Sequence, residues 1–434
     1  MKNKEKIGIL QFGCAKNLVD MELMLGLLAK NGYSYSLDIE DDSINTFIVN
    51  TCSFIYDAEA ESVKAILDLI NRKKRVILTG CLVQKHKEDL PKLLPEIKNF
   101  VGVCEYDKII DALENREYVN ISENPTYCYR EDITREQITV GSSSYIKIAE
   151  GCYYNCGYCV IPKLRGKYQS RKIENIVQEA SQMAKKGVSE IILIAQDTTS
   201  YGLDLYNKPM LATLLKELNK IEELNWIRVM YAYPTNFDDE LMDAINSLEK
   251  VVKYIDIPLQ HSNIEVLKRM KRPAIDYRKF IKKIRQKIKN VAIRTTFITG
   301  YPGESEEEFL DLYNFIKETK FDRVGVFAYS REKGTYAYDL KPQIRKNVKT
   351  KRKNQLMKLQ KGISLEINKS FIGKTIPCII EQIQSDGVVV ARSYRDAPDV
   401  DGLVYIKTKE FLAPGDIVDV KINKVSSYDM FGVV

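Results

Sequence analysis

A chain of 434 residues has room for two or three domains, and 44% hydrophobic residues are too many for a disordered chain. The net charge of +7 is concentrated between Arg345 and Lys369, where nine Lys/Arg face one acid, Glu366; the rest is near neutral, which argues against a chain that is basic throughout. No apolar run approaches the roughly 18 residues of a membrane span, and Met1 to Lys6 lacks the apolar core of a signal peptide. We therefore expect a cytoplasmic protein, with its nine cysteines reduced rather than paired in disulfides.

The first hundred residues alternate strand and helix signals. Apolar runs at 7–12, 46–50 and 75–79 are separated by helical spacing at 18–30 and 58–72. This predicts a parallel sheet with crossovers. Cys14, Cys52 and Cys81 each fall just after one of these strands. Ligands of open α/β sheets bind at the carboxyl ends of the strands, so three thiols there are placed to converge. The stretch 114–144 is polar and reads as a linker or small hairpin.

A second alternating series follows, with strands expected at 145–149, 190–195, 226–232, 254–257, 291–299 and 323–330. Helical stretches such as 173–186 and 306–319 lie between them. Six βα units predict a full or partial barrel whose site lies at the C-terminal strand ends. The basic segment 346–369 reads as a connecting helix. Beyond Ser370, β-rich runs at 375–383, 387–392, 403–407 and 417–425 alternate with Gly, Pro and Asp turns, predicting a small all-β barrel. The expected domains are 1–120, 140–369 and 370–434, α/β overall.

The loop Glu150-Gly-Cys152-Tyr-Tyr-Asn-Cys156-Gly-Tyr-Cys159 carries the strongest chemical signal. Its C-x3-C-x2-C spacing sits in a polar, glycine-bearing loop, which argues against three buried core thiols. A zinc knuckle wants a fourth ligand, and none lies nearby; His86 and His261 are the sole histidines. A cubane iron–sulfur cluster fits better. It ordinarily takes four thiolates, so three leave one iron open, a position that the amino and carboxylate groups of S-adenosylmethionine can fill. One electron then cleaves the C–S bond to a 5′-deoxyadenosyl radical.

This loop resembles the motif of the radical S-adenosylmethionine superfamily, with Tyr158 as the aromatic before the last cysteine. The resemblance implies the barrel fold and a cofactor site near Tyr158, Gln196, Asp197 and Arg294. The segments Gly13 to Asp20, Asn50 to Phe54 and Thr79 to Leu82 look like the three cysteine motifs of the methylthiotransferases. That resemblance spans essentially the whole chain. It implies a second 4Fe-4S cluster held by Cys14, Cys52 and Cys81, and a C-terminal barrel of the TRAM type. It also implies two S-adenosylmethionine molecules, one supplying the methyl group and one the radical. Cys104, Cys128 and Cys378 are read as structural. A reductant such as flavodoxin or ferredoxin is expected as partner.

Two branches of the family differ in substrate. One modifies an adenosine of tRNA; the other modifies the β-carbon of an aspartate in small-subunit ribosomal protein S twelve. The segments Gly13 to Asp20, Ile194 to Thr199, Tyr233 to Thr235 and Arg392 to Gly402 resemble the second branch. Ala15 departs from its usual Pro and Met21 from its usual Ser, neither at a ligand. From Ser370 onward seven Lys/Arg face nine acids, whereas a phosphate-gripping domain should be basic. Asp396, Asp399 and Asp401 are accordingly expected to form an acidic face for a basic ribosomal protein. The basic helix remains available to touch RNA. A non-enzymatic RNA-binding module is the alternative from another class, and it leaves six well-placed cysteines unexplained.

Overall fold

The computed structural model describes residues 4–53, 56–126, 129, 134–138, 141–385, 387–408 and 410–434; Phe54 and Cys128 lie outside the described residues. The chain forms two compact units. The first comprises Met1–Val140 with Glu150–Tyr154 and Val160–Gln169, and the second the remainder.

The first unit is built on six parallel strands in the order Ser34–Ser36, Lys6–Gln11, Thr46–Thr51, Arg75–Gly80, Asn99–Val101 and Tyr118–Asn120. The three strands expected from apolar runs are its centre. Thr46–Thr51 is buried along its whole length, as a strand covered on both faces should be. Ile9, Ile48 and Ile77 lie in register, as do Gln11, Asn50 and Thr79 at the strand ends. The edge strands at 34–36 and 118–120 carry no such apolar signature; the second falls inside the segment expected to be a linker. Helices Ala15–Lys30 and Tyr56–Asn71 supply the crossovers. Phe47, Val49, Ile66, Val76, Leu78 and Phe100 belong to a single buried cluster.

In the second unit six parallel strands follow one another in sequence order: Ser143–Lys147, Glu190–Ile194, Trp226–Val229, Val251–Asp256, Ala292–Thr299 and Arg323–Ala328. Among the described residues the first and last strands are not paired, so the sheet is a partial barrel. Helix Glu306–Thr319 opens with a capping box between Ser305 and Glu308. The basic helix runs over Lys346–Lys369, as expected.

The C-terminal strands Thr375–Ile383, Val389–Ser393, Val404–Lys407, Met430–Val433 and Ile417–Val425 close into a barrel in that order. A short strand at Met430–Val433, not expected from the sequence, completes it by pairing parallel to Val404–Lys407. Alternate residues Ile376, Cys378 and Ile380 point inward with Val389, Ala391, Val420 and Ile422. Cys378 is fully buried there, in the structural role expected of it.

The loop from Arg392 to Asp401 corrects one expectation. It is not a free acidic face, because every strand of the partial barrel presents a side chain to it. Tyr145 Oη reaches Asp399 at 3.3 Å and Tyr254 Oη reaches Asp401 at 2.6 Å. Arg323 pairs with Asp396 at 2.6 Å, Arg294 with Asp401 at 3.5 Å, and Glu190 with Arg392. Arg228 donates to the Tyr394 carbonyl at 2.9 Å. Asp396 is 2% exposed. These carboxylates hold the small barrel against the large one; Asp399 alone of the three stays exposed.

Candidate functional site

Register sets the first cysteine group. Because Gln11, Asn50 and Thr79 are aligned, the chain leaves three adjacent strands at one edge of the sheet, and Cys14, Cys52 and Cys81 follow within two or three residues. Cys81 begins the helix Cys81–Lys85. Gly80 before it has φ +96°, and a Cβ there would lie 2.5 Å from the Thr51 carbonyl oxygen, so only glycine turns the strand into this helix. Lys85 and His86 grip Glu59 of the neighbouring helix at 2.8 and 3.2 Å. These contacts brace the Cys81 helix.

Cys52 and Cys81 are buried and Cys14 is exposed. Burial pushes the Cys81 thiol up to about 11; Cys14 and Cys52 raise it further by their proximity, while Arg165 opposes them. At Cys14 the surrounding protein also acts upward. Lys16, Arg165 and the backbone N–H groups of Asn17 and Lys16 outweigh it and hold that thiol below its ordinary value. Arg165 is 1% exposed, with Nη2 3.7 Å from Cys81 Sγ and Nη1 2.7 Å from Glu150 and 3.2 Å from Asp20. Asn17 joins Arg165 and stands 3.8 Å from Cys81 Sγ. Among the described residues no three His, Cys, Asp or Glu side chains close on a single metal ion. The donor set is three thiols at one edge of the sheet, with the buried Arg165 guanidinium beside Cys81. That chemistry suits an anionic thiolate cluster.

The second cysteine set is the barrel loop. Cys152 belongs to the first unit, where its Sγ accepts from the Tyr154 N–H at 3.4 Å. Cys156 and Cys159 belong to the second and share a turn, with Cys159 N–H donating to the Cys156 carbonyl at 3.0 Å. Gly157 is clamped between them: its N–H donates to the Met270 carbonyl at 2.8 Å, and its own carbonyl accepts from Ala337 N–H at 2.7 Å. A Cβ on Gly157 would stand 2.6 Å from Tyr301 Oη, so any side chain there would displace the Tyr301 hydroxyl. Tyr158 packs against the cluster of Val266, Met270, Tyr301, Tyr329 and Ala337. Cys156 Sγ has Arg272 Nη1 at 3.8 Å and Tyr233 Oη at 3.9 Å.

The other expected cofactor residues divide. Gln196 and Asp197 follow the strand Glu190–Ile194 after Ala195. Burial raises the Asp197 carboxyl, and the Ser200 and Thr199 hydroxyls and N–H groups bind it. Thr199 in turn exchanges hydrogen bonds with the Tyr233 backbone at 3.0 and 3.1 Å. Asp197 thus shapes the turn that seats Tyr233 beside Cys156. Arg294 does not join this group; its guanidinium pairs with Asp256 at 2.9 Å and with Asp401 of the small barrel. Arg165, Arg272, Asn17 and Tyr233 were not expected. Asn17 and Tyr233 lay inside motifs quoted for other reasons, whereas a buried arginine reads in sequence like any surface one.

A parallel partial barrel with a C-x3-C-x2-C loop, a three-cysteine α/β unit and a terminal β-barrel define a radical S-adenosylmethionine methylthiotransferase, a transferase of sulfur-containing groups. Family models agree part by part. Residues 6–102 match the family described as uncharacterized protein family UPF0004, 146–316 the radical SAM superfamily, and 372–434 the TRAM domain. The chain is 49% identical to the ribosomal protein uS12 methylthiotransferase RimO of Caldanaerobacter subterraneus subsp. tengcongensis, over 98% of this chain and 99% of that one. It is 46% identical to the RimO of Thermoanaerobacter sp. strain X514 over the whole of both. The chain belongs to the RimO family. A solved structure of the radical S-adenosylmethionine methyltransferase TsrM from Kitasatospora setae, with cobalamin and a [4Fe-4S] cluster bound, shares the fold. Its TM-score is 0.58 at 15% identity, over 86% of this chain and 79% of that one.

Proposed function

We propose that this protein adds a methylthio group to the β-carbon of an aspartate in small-subunit ribosomal protein uS12. The observation that carries this reading is the full-length identity to a uS12 methylthiotransferase, with six cysteines in two sets. When bound, two 4Fe-4S clusters and S-adenosylmethionine supply the carbon-centred radical and the sulfur that no side chain provides.

The residues have separable tasks. Cys152, Cys156 and Cys159 would hold one cluster, and Cys14, Cys52 and Cys81 would hold the other. Arg165 and Lys16 favour the thiolate form at Cys14. Tyr158 and Gln196 are assigned to contact with S-adenosylmethionine, Asp197 to fixing the turn beside it, and Arg294 to seating the small barrel. Exposed Lys346, Lys351, Lys358 and Lys361 give the long helix a cationic face toward ribosomal RNA. A flavodoxin or ferredoxin delivers the electron, and the setting is the cytoplasm, where ribosomes are built. Among the described residues no helix is long and apolar enough to cross a membrane. We divide the chain functionally at 1–120, 140–369 and 370–434.

The test offers the reconstituted enzyme, with S-adenosylmethionine, sulfide and a reductant, either purified uS12 or bulk tRNA. Mass spectrometry should find a methylthio group on one aspartate of uS12. Product on tRNA alone would overturn the assignment.

A further inference from the structure

Arg272 is 7% exposed, and its guanidinium is held on several sides. Nη2 donates to the Pro258 carbonyl at 2.7 Å, Nη1 reaches Tyr158 Oη at 3.2 Å and Cys156 Sγ at 3.8 Å, and the plane lies 4.3 Å from the Tyr233 ring centroid. Its Nε has no hydrogen-bond partner. No carboxylate pairs with it among the described residues.

That absence separates it from its kind. The eight other buried arginines among the described residues each pair with a carboxylate, as Arg165 does with Asp20 and Glu150 and Arg352 with Glu304. A buried cation with no counter-charge is costly. A cubane core held by three thiolates carries net negative charge, and one unit more when reduced. Cys156, whose Sγ lies 3.8 Å from Arg272 Nη1, is one of those three ligands.

We infer that Arg272 is the counter-charge of the radical cluster, acting through Cys156 to favour its reduced state. The inference rests on the assignment of Cys152, Cys156 and Cys159 as cluster ligands. Arg272 acts through Cys156 and is a positioning residue whose effect is on potential. A nearby cation stabilises the extra electron, so removing it makes reduction harder.

The experiment uses the reconstituted full chain and its Arg272→Gln and Arg272→Lys variants. Iron is counted, and the reduced-cluster signal that changes on adding S-adenosylmethionine is followed by electron paramagnetic resonance against poised potential. The Gln variant should show that signal only at a lower potential than the parent, or fail to retain the cluster, while the Lys variant stays near the parent in both. A Gln variant with the parent's potential overturns the inference. So does equal loss of iron from both variants, which would mean that shape and not charge is required. A parent with no signal responsive to S-adenosylmethionine would instead overturn the cluster assignment itself.

Discussion

Asp396 in the small barrel lies 2.6 Å from the Arg323 guanidinium at the start of the last strand of the large one, and both are buried. Breaking a buried pair strands a charge and costs roughly 3 kcal/mol or more. Asp396→Asn should therefore lower resistance to urea by about that amount. It should leave binding of uS12 and its salt dependence unchanged in the folded protein. Parental stability with weakened, salt-sensitive binding would restore the idea of an acidic docking face.

Glu59 gives an acid-range prediction. Its hydrogen bond to His86, with help from Lys85, outweighs partial burial and pulls its carboxyl down to about 2. A folded value below the unfolded one, about 4.3, means the stabilisation is complete above the unfolded value and is lost as pH falls toward 2. The side chain is a quarter exposed, so the pair contributes about 1 kcal/mol or less. Glu59→Gln should be destabilised by that amount at neutral pH, and the gap to the parent should close by about pH 2. Denaturant unfolding at several pH values checks this; a constant gap would count against the brace.

Replacing Cys14, Cys52 and Cys81 together with Ala should remove one cluster and spare the other. The expected result is about half the parental iron, continued release of 5′-deoxyadenosine and no methylthio product. Unchanged iron content would show that these thiols bind no cluster.

Cys156→Ser places a hard oxygen where a soft thiolate is required. Cleavage of S-adenosylmethionine and methylthiolation should both fall by orders of magnitude. Parental cleavage by this variant would remove the barrel loop from the chemistry.

What the sequence made legible was decided by distance along the chain. Cys14, Cys52 and Cys81 were readable because each follows an apolar strand of five or six residues, and parallel pairing carries that periodicity straight into register. The strands at Ser34–Ser36 and Tyr118–Asn120 are three residues long with no fully buried residue, too short for a periodic signal. Asp396 and Asp401 were read as part of an open acidic face, since their partners Arg323 and Arg294 lie far earlier in the chain and no local pattern announces the pairing. Arg272 and Cys156 are 116 residues apart, and no local pattern joins them.

The most direct test of the central claim is mass spectrometry of both uS12 and bulk tRNA nucleosides from the host with this gene deleted. In that strain uS12 should lose one methylthio group from a single aspartate while the tRNA nucleosides keep theirs. Loss of a methylthio group from tRNA with uS12 unchanged would contradict it.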